Sequence, residues 1–117
     1  MDSINLKSLI GKYVLLDSWG TWCGYCILAL PEIQNLQNKY KNDLVVIGIS
    51  TENKPQIETL IQKNKITYIN LFADQKILKD YAVSNRPTYF LIDKKGKIIS
   101  QSEGDLDKII TMIDDLL

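Results

Sequence analysis

The sequence predicts a single α/β domain built on a mixed central sheet, and three observations predict it. Two apolar runs of strand length, Tyr13 to Trp19 and Leu44 to Ser50, flank a stretch with helical periodicity. Two further β-forming runs, Thr88 to Ile92 and Lys97 to Ser100, are separated by the turn Asp93-Lys94-Lys95-Gly96. The closing stretch, Asp105 to Leu117, places Leu106, Ile109, Ile110, Ile113 and Leu117 on one helical stripe.

Each element has a local reason. Gly11-Lys12 introduces the first run, which is short and apolar, as a buried central strand is. Ile33, Leu36 and Tyr40 recur at helical spacing among polar residues, so a helix is expected from Cys23 to Tyr40, kinked at Pro31. A strand-helix-strand order of this length implies a right-handed crossover to a parallel neighbour. Asn53 is placed to cap a second helix with Pro55 in its first turn and Ile57, Leu60 and Ile61 on its apolar face, ending near Asn64. Ile66 to Phe72 reads as a short strand and Gln75 to Tyr81 as a short helix. The two runs around Gly96 form an antiparallel hairpin, and Asp105 and Asp107 favour the start of the terminal helix. No repeat, low-complexity segment or Gly/Ser/Pro linker divides the chain, so residues 1–117 are read as one domain.

At 117 residues the chain is long enough for one hydrophobic core, and 45% hydrophobic with 24% charged residues is the balance of an ordinary globular domain. Fourteen basic residues balance fourteen acidic ones, which leaves no net field to attract nucleic acid or an anionic membrane. The longest apolar runs are strand length, well short of the ~20 residues of a membrane helix. Met1 to Lys7 lacks the basic start and apolar stretch of a secretory signal. Either the protein works in the cytoplasm or a leader has been removed, with Met1 then an added start.

Histidine is absent and the two cysteines lie in one C-x-x-C, Cys23-Gly24-Tyr25-Cys26. They fall where the first strand ends and the long helix begins, near the partial positive charge of unpaired backbone N–H groups. Helix N-termini in such sites lower the thiol pKa from about 8.5 to between about 3.5 and 7.5, making Cys23 the expected nucleophile. Cys26, one turn further on and more buried, is spaced to attack the mixed disulfide so formed. Against this stand two plainer readings, a pair of small buried hydrophobes and half of a zinc site. Zinc would need carboxylates as its remaining ligands, an uncommon structural set, so no metal is expected.

Asp17-Ser18-Trp19-Gly20-Thr21-Trp22-Cys23-Gly24-Tyr25-Cys26, followed by Pro31, resembles the active-site segment of the thioredoxin superfamily. Within it, Trp19-Gly20-Thr21-Trp22-Cys23 and Leu9-Ile10-Gly11-Lys12-Tyr13-Val14-Leu15-Leu16 most resemble the TlpA/ResA-like thiol–disulfide oxidoreductases, and Arg86-Pro87-Thr88 with Tyr89 to Gly96 is similar to their second motif. The resemblance runs from Leu6 onward. It implies a thioredoxin fold, with helices on both faces of the sheet and a TlpA-like insertion between the βαβ unit and the C-terminal hairpin and helix. It further implies a protein-disulfide oxidoreductase, most simply a reductant, with no cofactor beyond a redox-active Cys23–Cys26 disulfide. Pro87 is implied to follow a cis peptide bond and to present the substrate chain to the cysteines. Asp17 matches the buried carboxylate that takes a proton from the second cysteine; the plain alternative is an acid hydrogen-bonding locally at a strand end.

Trp22 is expected to shield the dithiol and, with Gly24, Tyr25, Arg86 and Pro87, to meet the substrate, whereas Trp19 is assigned to the core. Arg86 stands where a small or β-branched residue is usual, and would either lower the Cys23 pKa, select acidic substrates, or point into solvent. No charge stands near Gly48, where a basic residue accompanies the acid in many thioredoxins. Gly24-Tyr25 departs from the Gly-Pro or Glu-Pro of reducing members and occurs in some disulfide isomerases, so oxidant and isomerase remain alternatives. A non-catalytic binding module, a Cu(I) carrier and a peroxidase are the others; the last would need one activated thiol with nearby Thr and Arg, not a vicinal pair. Expected partners are protein thiols and disulfides with an upstream thiol reductant or oxidant, approached by a monomer. Expected surroundings are the bacterial periplasm or outer cell surface, with the domain trimmed from a longer anchored or secreted precursor and the cytoplasm left open.

Overall fold

The computed structural model describes residues 9–21, 23–50, 54–72 and 88–117. Strands β1 (Tyr13–Ser18), β2 (Leu44–Ser50), β3 (Ile69–Phe72), β4 (Thr88–Ile92) and β5 (Ile98–Glu103) form one sheet in the order β3-β2-β1-β4-β5. Helix α1 (Gly24–Lys39) links β1 to β2, α2 (Lys54–Lys63) lies between β2 and β3, and α3 (Leu106–Leu116) closes the chain. β1 pairs parallel with β2 and antiparallel with β4, β2 pairs parallel with β3, and β4 pairs antiparallel with β5. The expected βαβ unit, mixed sheet and hairpin are therefore present, with β1 at the centre.

Side chains in register share a face of the sheet. On one face Leu15, Val46, Tyr89 and Leu91 join a single buried cluster with Leu30 and Ile33 of α1, Ile57 of α2, and Leu106, Ile109 and Ile113 of α3. The three described helices thus share this core. Val14, Ile47 and Phe90 on the opposite face are buried as well. The short helix expected over Gln75 to Tyr81 and the Asn53 cap lie outside the described residues. The stretch where an insertion was implied contains α2 and β3.

Several boundaries differ from the expected ones for identifiable reasons. Cys23 is extended and caps α1 rather than belonging to it, and α1 continues unbroken through Pro31. β3 begins at Ile69, not Ile66. The end of α2 explains the delay: Lys65 sits in the left-handed region at φ 55, Ile66 N–H bonds Ile61 carbonyl at 2.9 Å, and Lys65 N–H bonds Gln62 carbonyl at 3.1 Å. β5 runs on to Glu103 because Ser102 and Glu103 pair with Tyr89 and Thr88. The hairpin turn uses Gly96 at φ 87, and the Asp93 carboxylate accepts the N–H groups of Lys95 and Lys97 at 2.9 Å each. Leu117 lies beyond the end of α3 and is exposed, so the apolar stripe buries Leu106, Ile109 and Ile113.

α1 is tied to the sheet by amides as well as by apolar contact. β3 covers only Ile47 to Ser50 of β2, which leaves the first half of that edge unpaired. Gln37 fills the gap: its Oε1 accepts Val46 N–H and its Nε2 donates to Leu44 carbonyl, both at 2.7 Å. Gln34 likewise accepts Thr67 N–H at 2.8 Å and donates to Thr67 Oγ1 at 2.9 Å.

Gly48 has no room for a side chain. It lies between Asp17 on β1 and Asn70 on β3, and Trp19 Nε1 crosses over it to donate to Asn70 Oδ1 at 3.2 Å. A Cβ there would overlap the Asn70 amide and sit 2.9 Å from Trp19 Nε1. Gly48→Ala is expected to break that hydrogen bond and lower stability by about 2 kcal/mol, read from urea unfolding midpoints; an unchanged midpoint would contradict the close approach.

Candidate active site

β1 delivers the site. Its last residue is Ser18, and Trp19 N–H extends the ladder by one bond to Ile49 carbonyl at 3.0 Å before the chain turns through Gly20 and Thr21 to α1. Cys23 is the N-cap of α1, at φ −120 and ψ 100, and its sulfur accepts Cys26 N–H at 3.1 Å. Sulfur here takes the place of the oxygen of a Ser or Asp cap. No acidic residue stands in the first turn of the helix to oppose negative charge on that sulfur. Cys23 and Cys26 form a disulfide across Cα atoms 5.3 Å apart, and both are buried, at 3% and 1% exposure. Gly24 and Tyr25 are exposed beside the pair, Tyr25 by 52%.

Asp17 is 1% exposed, and neither carboxylate oxygen has a hydrogen-bond partner among the described residues. The local-capping alternative is thereby set aside for this carboxylate. Burial pushes its pKa from 3.8 up to about 7, and no cation among the described residues offsets it. Trp19 is in the core at 1% exposure, as assigned. Trp22, Arg86 and Pro87 lie outside the described residues. Sequence reasoning did not single out Tyr68 and Tyr89, which flank Asp17 electrostatically, or Asn70, which closes the space over Gly48. A tyrosine in a β-forming run gives no signal that it neighbours an acid; for Tyr89 only the strand register does. Among the described residues no cluster of His, Cys, Asp and Glu is arranged to hold a metal ion.

The sequence profile of the AhpC/TSA family matches residues 1–101. The chain belongs to that family, as a TlpA/ResA-like domain of the thioredoxin superfamily. It is 36% identical over 108 residues to the thiol-disulfide oxidoreductase ResA of Bacillus thuringiensis, a match covering 90% of this chain and 62% of that protein. The chain thus spans about three fifths of the length of this relative. A solved thiol:disulfide interchange protein from Bacteroides sp. superposes with a TM-score of 0.81 at 25% identity, over 97% of this chain and 78% of that one. The exposed lipoprotein thioredoxin of Streptococcus pneumoniae superposes with a TM-score of 0.72 at 26% identity, over 94% and 89%.

The Asp17 environment has a consequence for stability. Its proton is held more tightly in the fold than in the unfolded chain, so between pH 4 and 7 the folded state binds more protons and stability falls as pH rises. The loss is complete above about pH 7 and, at about 1.4 kcal/mol per pKa unit, is on the order of 4 kcal/mol. Asp17→Asn removes this dependence. Urea unfolding at a series of pH values should show the variant gaining on the native chain from pH 4 to 7, with a constant advantage above; parallel curves would contradict a buried, unpaired acid.

Proposed function

We propose that this domain is a protein-disulfide oxidoreductase that acts as a reductant, with Cys23 attacking, Cys26 resolving and Asp17 exchanging the Cys26 proton. The observation that carries the reading is the Cys23 cap, a sulfur set against the N–H of Cys26 at a helix start, one short turn from a buried acid. The Cys23 thiolate attacks one sulfur of a substrate disulfide and expels the other as thiolate. Asp17 takes the Cys26 proton, and the Cys26 thiolate attacks Cys23 Sγ, closing the intramolecular disulfide and releasing the second substrate thiolate. Two electrons pass from the dithiol to the substrate, and an upstream thiol reductant restores the dithiol. A base that titrates near 7 suits this direction, in which Cys26 must lose its proton near neutral pH.

Substrate chains would meet the exposed Gly24 and Tyr25 at the helix start, together with Trp22, Arg86 and Pro87. A role for Arg86 in lowering the thiol pKa or selecting acidic substrates is tested by Arg86→Ala, read by thiol pKa and substrate preference. An extracytoplasmic setting is supported by the likeness to an exposed lipoprotein thioredoxin. No helix among the described residues is long and apolar enough to cross a membrane.

Insulin reduction without added metal tests the class, and a redox titration in glutathione and dithiothreitol buffers tests the direction. A reversible two-electron couple near about −250 mV or lower is expected of the reductant, and one near about −120 mV would make the domain an oxidant or isomerase. Cys23→Ser should abolish turnover, whereas Cys26→Ser should accumulate a mixed disulfide with substrate. Loss of neither activity would overturn the assignment.

A further inference from the structure

Two buried phenols are electrostatic neighbours of Asp17. Its neighbour across β4 is Tyr89, fully buried, and Tyr68, two residues before Asn70 on the same side of the sheet, is 6% exposed. Neither hydroxyl has a hydrogen-bond partner among the described residues. Of the other polar groups on this face, Ser50 Oγ, two residues beyond Gly48 on β2, is also buried without a partner among the described residues, and the others described are committed. Trp19 Nε1 and Asn70 Oδ1 bond each other at 3.2 Å, Asn70 Nδ2 donates to Tyr68 carbonyl at 3.2 Å, and Ser102, across from Tyr89 on β5, donates to Asp105 carbonyl at 2.9 Å. The buried polar side chain of α1, Gln34, is bonded to Thr67 and Asn38. Asp17, Tyr68 and Tyr89 are thus three buried groups that act on one another electrostatically and have no hydrogen-bond partner among the described residues, an arrangement that costs stability.

We propose that Tyr68 and Tyr89 are positioning residues for the resolving step, whose hydroxyls turn to the Asp17 carboxylate when it ionises and set the pH at which it exchanges a proton with Cys26. This inference rests on the role proposed for Asp17. Position 48, directly across β2, cannot supply a partner because it is a glycine closed over by Trp19 and Asn70. Burial, and next the Asp17 charge, push both phenols above their ordinary 10, so each remains a protonated donor throughout the range in which Asp17 titrates. Tyr25 and Glu32 of α1 act on Tyr89 in the same sense, and among the described residues the one charged group lining the cleft beside Tyr68, about 330 Å³ in volume, is Glu58 of α2. No cation among these competes with the phenols for the carboxylate. Tyr68 lines that cleft and is the most exposed of the three groups.

The test is a carboxyl-carbon NMR titration of Asp17 in the oxidised full chain, alongside Tyr68→Phe, Tyr89→Phe and the double variant. Removing a donor to the anion should raise the titration midpoint, with proton affinity increased about tenfold in the double variant. The pH profile of mixed-disulfide resolution should move to higher pH by the same amount. A purely structural role predicts otherwise: deleting an unpartnered buried hydroxyl leaves stability equal or higher and moves neither midpoint nor profile. A double-variant midpoint within about 0.2 pH units of the native one would overturn the inference. Asp17→Asn separates the two claims, since native-rate resolution in that variant would remove Asp17 as the base while the midpoints still decide what the tyrosines do.

Discussion

The Cys26 N–H pointing at Cys23 Sγ, 3.1 Å away, is the contact to which the rest of the domain is subordinate. It exists because β1 ends in the middle of the sheet, with β2 on one side and β4 on the other, and a turn carries the chain directly into α1. A central strand is the least mobile platform the fold has. The sulfur proposed as the nucleophile is thus placed where the helix has unpaired donors. Gln34 and Gln37 fix the far half of the same helix against the β2 edge and the chain leading to β3, so its start is held from behind as well as from below.

A second constraint, dryness, acts on the acid. Asp17 lies on the face covered by all three described helices, and its carboxylate has no hydrogen-bond partner among the described residues. Each unpaired buried polar group costs about 1–3 kcal/mol, so a core holding Asp17, Tyr68 and Tyr89 together gives up stability that an apolar core would keep. The same dryness lifts the acid to about 7, where it gains or loses a proton at neutral pH. Gly48 is part of this arrangement. It yields its space to the Trp19 to Asn70 bond, so position 48 itself supplies no side chain to the acid across from it.

Most of the frame is legible in the sequence, because the run from Tyr13, the run from Leu44, the Gly96 turn and the terminal stripe each have a period and a stop signal of their own. The dithiol is legible for the same reason: two cysteines at a strand-to-helix boundary have few other uses. What is not legible depends on register. Tyr68 and Tyr89 read as ordinary strand formers, and only the pairing of Asp17 with Tyr89 and Gly48 shows that a phenol and an empty position flank the acid. The late start of β3 follows from Lys65 adopting a left-handed conformation usually reserved for glycine, which composition gives no reason to expect. Ser102 and Glu103 look like loop residues until β4 is laid beside them.

The central claim is that the helix cap makes Cys23, and not Cys26, the thiolate of the reduced domain. Its most direct test is the rate of iodoacetamide alkylation of each cysteine across pH in the reduced chain, resolved by peptide mass. Cys23 should react first, with an apparent pKa below about 8.5, while Cys26 stays protected until higher pH. Equal labelling of the two, or Cys26 reacting first, would contradict the account.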